Sequence, residues 1–442
     1  MLRHILIWVN TVLWLVTATA AAAQESSSEP VSYVLAGALL DVESGKILQN
    51  QAIIVVGDRI TELGPESELA RPGGAVLIDL SNLTVLPGLI DAHTHLNSNH
   101  NLHGYRRLEV SAARTAIYGV VGAKATLMAG FTTVRNVGAA HYADIALRDA
   151  IDAGEIIGPR MKVSGPSLGM TGGHCDSNLL PPRFQHRSQG VADGPWAVRA
   201  KVRENIKYGV DLIKFCATGG VLSKGTEVGA VQYTLEEMEA LVDEAHAHGR
   251  KVAAHAHGTE GIKRAFLAGV DSVEHVSLID AEGLRLARKA GTALVMDIYV
   301  DDYIIAQGEH VGILEESLDK SRQVASNMRE NMRRAHESGA NVVFGTDSGV
   351  YPHGDNAIQF GYMVRYGMSP LDAIRAATVK AAALLGMEGD VGAIAPGYFA
   401  DLIAVDGNPL DDVTLLQNVR VVIKGGKVIK SPELPRGYSG GE

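Results

Sequence analysis

The sequence predicts an α/β protein, a (β/α)8 (TIM) barrel carrying a small β-sandwich built from both chain ends. Three observations predict it. Eight short apolar runs with strand character recur along the middle of the chain, and helical stretches separate most of them. Both ends are instead rich in short β runs divided by Ser-Gly, Gly-Asp and Gly-Gly turns. With 442 residues, 46% of them hydrophobic, the chain has ample material for one large domain or two modest ones.

In chain order, Met1 to His4 is short and basic, residues 5–16 are apolar apart from Asn10 and Thr11, and Ala21-Ala-Ala23 offers a small-residue cleavage site. Residues 1–23 therefore read as a secretory signal peptide. The rival, an uncleaved membrane anchor, needs a longer and more uniform apolar span. The expected location is periplasmic or secreted, with no stable membrane association after cleavage. Residues 24–85 form the first part of the sandwich, with runs at Tyr33–Leu40, Gln51–Val56 and Ala75–Asp79. The barrel spans residues 86–388. Its strand candidates are Leu86–His93, Thr132–Val137, Met161–Gly165, Asp211–Cys216, Lys251–His255, Ser272–His275, Ala293–Asp297 and Asn341–Asp347. Between them lie helical patterns at Ser111–Ala129, Trp196–Tyr208, Leu235–Ala247, Thr259–Ala268 and Asp319–Glu337, each with apolar residues at 3.6 spacing. Strands alternating with helices imply a parallel sheet, a doubly wound sheet being the alternative. Ser369 to Leu385 reads as one final helix, Ser369 its N-cap and Pro370 its first residue. Residues 389–434 complete the sandwich, with a Gly-Gly hairpin between Arg420 and Ile429, and residues 435–442 are expected to be a flexible tail. Tyr299 to Ile313 and Tyr351 to Asp355 are expected to be loops that set specificity.

A net charge of −10 with no block of five like charges argues against a nucleic-acid partner. Only Cys175 and Cys216 occur, so no disulfide framework is expected. Both should lie near the barrel mouth as free buried thiols, with a disulfide as the alternative after export. Asn82-Leu-Thr84 is a glycosylation sequon, meaningful only in a eukaryotic host.

His93 and His95 end the first barrel strand two residues apart, so both rings project to one side, an arrangement that suits a borderline cation such as zinc. A His-x-His pair also arises by chance among sixteen histidines. Barrel active sites sit at the C-terminal strand ends. Lys214 lies in the fourth strand, His255 ends the fifth, His275 the sixth and Asp347 the eighth. Taken singly, His255 and His275 read as core histidines and Lys214 as a snorkelling surface residue. Together they form a ligand set that only a closed barrel could assemble.

Pro87-Gly-Leu-Ile-Asp-Ala-His-Thr-His95, Leu212-Ile-Lys-Phe215, Ala253-Ala-His-Ala256, Val273-Glu-His275 and Gly345-Thr-Asp-Ser-Gly349 occur in that order. With Gly392-Ala-Ile-Ala-Pro-Gly-Tyr-Phe-Ala-Asp-Leu402 they resemble the amidohydrolase superfamily over nearly all of the mature chain. Met170-Thr-Gly-Gly-His174, Ala217-Thr-Gly-Gly-Val-Leu-Ser223 and Gln232-Tyr-Thr234 resemble its imidazolonepropionase-like branch, which holds bacterial Xaa-Pro dipeptidases and hydrolases of N-acyl amino acids such as ochratoxin. The resemblance implies that Lys214 carries carbon dioxide as a carbamate, N6-carboxylysine, bridging two divalent ions. By the same carry-over His93, His95 and Asp347 hold the first ion, and His255 and His275 the second. A water ionised between the ions would be the nucleophile, with Asp347 as base and then acid. Zinc is the default ion, though cobalt or manganese would suit the same ligands.

His174, after two glycines, is a candidate for substrate contact, with loop capping as the plainer role. Tyr233 is a candidate for a substrate oxygen, against plain packing. Arg135 suits a free carboxylate or, equally, a structural ion pair. His257 is ranked as loop or supporting residue, and His246 and His248 as surface. The expected reaction is hydrolysis of an amide bond in a dipeptide or N-acyl amino acid, by an Xaa-Pro dipeptidase or carboxypeptidase-like enzyme. One alternative is a cyclic amide or imidazolone hydrolase or deaminase, whose relatives commonly place a glutamate soon after the fifth-strand histidine. Here His255 is followed by Ala-His-Gly-Thr. The non-enzyme alternative is a secreted metal- or ligand-binding protein that has lost turnover. Relatives suggest a homo-oligomer, by analogy alone.

Overall fold

Gly88 divides the apolar run at residues 85–90 between two sheets, because the backbone there passes so close to Thr132 that any Cβ would collide with it. The computed structural model describes residues 29–432. The expected signal peptide and C-terminal tail lie outside the described residues.

The N-terminal part comprises β1 (Val31–Asp41), β2 (Lys46–Val56), β3 (Arg59–Pro65) and β4 (Val76–Pro87). The central strands are β5 (Leu89–Thr94), β6 (Phe131–Asn136), β7 (Arg160–Val163), β8 (Leu212–Cys216), β9 (Lys251–Ala256), β10 (Ser272–His275), β11 (Ala293–Val295) and β12 (Val342–Val343). The chain closes with β13 (Leu402–Val405), β14 (Val421–Lys424) and β15 (Lys427–Lys430).

The two β-rich ends meet in one seven-stranded sheet, ordered β15-β14-β13-β4-β1-β2-β3. β13 runs antiparallel to β4, with Leu402 opposite Pro87, so the C-terminal strands dock directly beside the start of the central region. Val34, Ile53, Ile60, Val85, Leu402 and Ile423 from six of these strands pack into one buried cluster. The expected Gly-Gly hairpin joins β14 to β15, both glycines at positive φ as a two-residue turn requires.

β5, β6 and β7 form a parallel sheet, and β8 to β12 a second parallel sheet in sequence order. Helices connect most of these strands, including Ala112–Met128, Pro195–Lys207, Leu235–Ala247, Thr259–Ala268 and Ala281–Ala290. Each buries an apolar stripe of the expected period, as Met238, Leu241, Val242 and Ala245 do in the helix capped by Thr234. Hydrogen bonds also link the two sheets. Leu168 N–H donates to the Lys214 carbonyl (2.8 Å), and on the opposite side Ala92 N–H donates to Phe344 (3.0 Å) and His95 N–H to Ser348 (2.8 Å).

Three expectations need correction. The stretch from Tyr299 to Ile313 is not a loop: Val300–Val311 is a helix, ended by Gly312 at φ 82°. The single helix expected from Ser369 to Leu385 is two, Pro370–Ala376 and Val379–Leu385. Thr378 breaks it, its hydroxyl donating back to the Ile374 carbonyl (2.7 Å). Ser369 is nevertheless the N-cap, accepting from Asp372 N–H. The third concerns the cysteines: Cys175 and Cys216 are not free thiols but a disulfide, because the loop after β7 folds back over the end of β8. Among the described residues no helix is long and apolar enough to cross a membrane.

Candidate metal centre

The C-terminal ends of the central strands converge on a cavity of about 160 Å³. His93 is the last residue but one of β5, His95 lies just beyond it, and both line the cavity, as the two-residue spacing predicts. Lys214 from β8, His255 from β9, His275 from β10 and Asp347 after β12 line the same space. Residues spread over more than 250 positions therefore share one site. His93, His95 and Asp347 form one group able to hold a cation, with Asp347 Oδ1 3.4 Å from His93 Nε2 and 3.2 Å from His95 Nε2. His255, His257 and His275 form a second, and His93, His275 and Asp297 a third.

The donor set fits divalent ions. Each of several rings has one nitrogen anchored and the other left for a ligand bond: His95 Nδ1 on the Gly138 carbonyl (3.1 Å), His257 Nδ1 on Ser277 (2.7 Å), His275 Nδ1 on Asp297 (2.8 Å). Burial, reinforced by neighbouring cationic groups, holds His174, His255, His257 and His275 well below the usual histidine range, so they stand neutral as metal ligands must. Lys214 Nζ and His255 Nε2 are buried without a hydrogen-bond partner among the described residues. Such orphaned atoms are costly unless something binds them. The backbone is strained at two of these positions, φ being 68° at His275 and 56° at Asp347, a conformation that costs roughly 1–3 kcal/mol for non-glycine residues. Asp347 is held there by its N–H, which donates to the His93 carbonyl (2.8 Å).

Electrostatics divide the charges. Burial raises Asp347, but His93 and His95 beside it outweigh that and keep its carboxyl ionised. Burial and the Lys214 ammonium pull His93 down, yet Asp347 and Glu274 lift it to about 9. Burial lowers Lys214 to about 8, with Glu274 acting against it.

His174 reaches the cavity, its ring stacked on His255. Gly220 makes room for it, since a Cβ there would strike the ring. Arg135 does not reach the cavity: its guanidinium is buried and spent on the Ala92 carbonyl (2.6 Å), Ser272 (2.9 Å) and Glu274 (2.8 Å). Tyr233 is also withdrawn, fully buried in the core with its hydroxyl donating to the Ala192 carbonyl (2.9 Å). The arginine that does line the cavity is Arg107, which also lines an adjoining outer cavity of about 380 Å³ shared with His95 and His174. His257 lines the cavity, its Nδ1 on Ser277, a placement compatible with the supporting role expected of it. Two further acids stand beside the candidate ligands without having been singled out in the sequence, Glu274, whose Oε2 lies 3.0 Å from His93 Nδ1, and Asp297. Their only signal along the chain is position: Glu274 adjoins a ligand candidate and Asp297 lies two residues past the end of β11.

Residues 84–429 match the model of the amidohydrolase family. The chain belongs to the amidohydrolase family. This amidohydrolase is accordingly an enzyme that hydrolyses amide bonds. It is similar to the ochratoxinase of Aspergillus niger, 32% identical over 426 residues that cover 91% of this chain and 87% of the relative. Among solved structures it is similar to a Xaa-Pro dipeptidase with methionine bound in its active site, 38% identical with a TM-score of 0.85, covering 91% of this chain and all of that one. A prolidase complexed with N-methylphosphonate-L-proline is 33% identical with a TM-score of 0.84, over 91% and 100% of the two chains.

Proposed function

We propose that this amidohydrolase uses two divalent ions to cleave the amide bond of dipeptides or N-acyl amino acids. One observation carries the reading: Lys214, 4% exposed and without a partner for Nζ among the described residues, lines one cavity with two groups of ligand-type side chains. An amine brought down to about 8 is partly neutral at physiological pH, the form that captures carbon dioxide, and the resulting carbamate would satisfy the orphaned position with two oxygens. His93, His95 and Asp347 would hold one ion, His255 and His275 the other, with Lys214 shared. His257, alongside His255 and His275, is a further candidate for the second ion. When bound, the ions supply Lewis acidity and lower the pKa of water. Zinc is the default for this histidine and carboxylate set.

The chain's own groups do the rest. Asp347, kept ionised, accepts the proton of the attacking water as its oxygen bonds to the carbonyl carbon, and returns that proton to the leaving nitrogen as the carbon–nitrogen bond breaks. Asp297 fixes the ring of His275 by a hydrogen bond, and the Glu274 carboxylate lies against Nδ1 of His93. His174 and Arg107 border the space the substrate would occupy, Arg107 taking the carboxylate role that Arg135 cannot. The relatives that cleave ochratoxin and Xaa-Pro dipeptides support this substrate class. The deaminase and non-catalytic alternatives gain no support, since every expected ligand position carries a ligand-type residue.

The hydrogen bonds that link the two parallel sheets support a closed (β/α)8 barrel over residues 86–388, and the shared core of the seven-stranded sheet supports a small sandwich from both ends. Export by a cleaved leader, a periplasmic or secreted location and homo-oligomer assembly belong to the same proposal. Elemental analysis of the purified protein, with amine release measured across dipeptides and N-acyl amino acids, tests it. About two ions per chain and hydrolysis of at least one class are expected. Bound metal with no turnover on any amide would overturn it.

A further inference from the structure

Two carboxylates line the inner cavity, Asp347 and Asp301. Asp347 belongs to the metal-binding group, which leaves Asp301 unexplained. It sits in the first turn of the helix Val300–Val311 and is only 3% exposed. Oδ1 accepts from Ser321 Oγ (2.6 Å), whereas Oδ2 has no hydrogen-bond partner among the described residues. It shares that state with Lys214 Nζ, His255 Nε2 and His174 Nδ1, atoms of the same cavity that the proposed reaction uses.

The side chains around it make an unpartnered carboxylate expensive. Val300, Ile304 and Met328 line the same part of the chain's cavity with apolar surface. Arg329, the cationic group whose charge acts on Asp301, makes no hydrogen bond to it among the described residues: its guanidinium is paired with Asp302 and lies toward Tyr366, and its Nε is buried without a partner. Ser321 accounts for one oxygen and leaves the other without a donor among the described residues.

Resting on the hydrolase reading above, we infer that Asp301 is a specificity-determining residue that recognises a protonated amine on the substrate. A primary ammonium offers up to three donors and a full charge, the complement of a desolvated carboxylate oxygen in an apolar wall. That chemistry has two sources, the α-amino group of an unblocked dipeptide or the side chain of a basic residue. In either case a neutral isostere of the same shape leaves Asp301 unpaired and is rejected.

Two matched pairs test this: alanyl-leucine with propionyl-leucine, which lacks only the α-amine, and propionyl-lysine with propionyl-norleucine, which lacks only the side-chain amine. In the wild-type enzyme kcat/KM should favour the amine-bearing member of one pair by tenfold or more, and the pair that responds identifies the source. Asp301→Asn keeps the acceptor for Ser321 and should bring that ratio close to one, mainly through KM. A structural role would slow both members alike and leave the ratio intact, which would overturn the inference, as would wild-type ratios near one in both pairs. The wild-type ratios decide the matter even if the variant folds poorly. Equal hydrolysis of every substrate removes the role of Asp301 and leaves the hydrolase reading standing. No hydrolysis of any removes both.

Discussion

His174 lies nearly flat against His255, ring centroids 4.2 Å apart and planes 21° from parallel. The first ring comes from the loop after β7 and the second from β9, so a mobile kind of element is registered against a fixed ligand candidate. The disulfide explains how. Cys175 follows His174 directly, and Cys216 stands two residues after Lys214 on β8, so one covalent link ties the substrate-side loop to the strand that carries the lysine. The tie spans 41 residues, for which chain entropy alone predicts stabilisation of about 4 kcal/mol as an upper figure. Cys175→Ser with Cys216→Ser should therefore lower Tm by several degrees and reduce kcat/KM several-fold, with metal content retained. Calorimetry, elemental analysis and assay of the same preparation check it. Unchanged KM and kcat would remove the positioning role of the bridge.

Lys214 offers a sharper expectation. Replacing it with alanine removes the one cavity group that could bridge both histidine groups, and the loss in kcat/KM should be on the order of 10²–10³ at least, with metal content falling in parallel. Because the proposed bridge is an acid anion rather than an amine, short carboxylic acids such as acetate or propionate should restore part of the activity to Lys214→Ala. Lys214→Arg should not respond, since its bulk fills the vacated space with an obligate cation. Full turnover by Lys214→Ala would sink the binuclear reading.

Much of this was legible along the chain, for identifiable reasons. Leu89–Thr94 and Leu212–Cys216 are fully buried strands, and each opens on an apolar pair that continues or begins a largely apolar run, broken by Asp91, His93 and Thr94 in the first and by Lys214 alone in the second. The period of two then gives His93 and His95 a common side. β3 was invisible because Arg59-Ile-Thr-Glu-Leu-Gly-Pro65 is an edge strand in which Ile60 alone is buried, lacking any apolar run to mark it. Arg135 and Tyr233 show the opposite failure. Their residue types suit ligand contact, but which partner consumes a guanidinium or a hydroxyl depends on neighbours 139 and 41 positions away, a tertiary fact no local pattern encodes. The places of His257 and Asp297 were hidden for the same reason: only the pairing of β10 with β9 on one side and β11 on the other brings them to His275.

Glu274 links two of these residues, with Oε1 on Arg135 (2.8 Å) and Oε2 beside His93 (3.0 Å), both partners buried. Breaking one side of such a pair strands a charge in the interior. Glu274→Gln should cost about 3–5 kcal/mol of stability, and should weaken metal retention or activity by about 10–100-fold through the loosened His93 ring. Pairing it with Arg135→Met, which removes the stranded cation, should recover part of the stability but none of the activity. Chemical denaturation and metal titration of the three variants separate the two effects. If the double variant is less stable than the sum of the singles, the ion pair is not what holds this layer together.

Asp144 carries a prediction about pH. It is buried, and burial raises its carboxyl to about 6 against the pull of three hydrogen bonds, from Gly165 N–H (2.9 Å), Ile145 N–H (3.0 Å) and the Asn136 amide (3.4 Å). Asn136 in turn accepts from Leu96 N–H (2.7 Å), one residue past His95, so the network braces the strand end that presents a metal-ligand candidate. A carboxyl raised from 3.8 to about 6 on folding holds a proton that the unfolded chain has already released. Stability from this group is thus complete below pH 4, falls as pH rises from 4 to 6, and changes no further once both states are ionised. Two units correspond to about 3 kcal/mol. Asp144→Asn does not titrate, so the stability difference between wild type and variant should shift by about that amount across pH 4–6 and stay level from pH 7 to 8. The amide has one acceptor where the carboxylate had two, so either Ile145 or Gly165 loses its partner and the variant is less stable at every pH. Denaturant melts at half-unit pH intervals measure the difference directly. A constant offset from pH 4 to 8 would mean that Asp144 is ionised throughout and that its hydrogen bonds, not its burial, govern its charge.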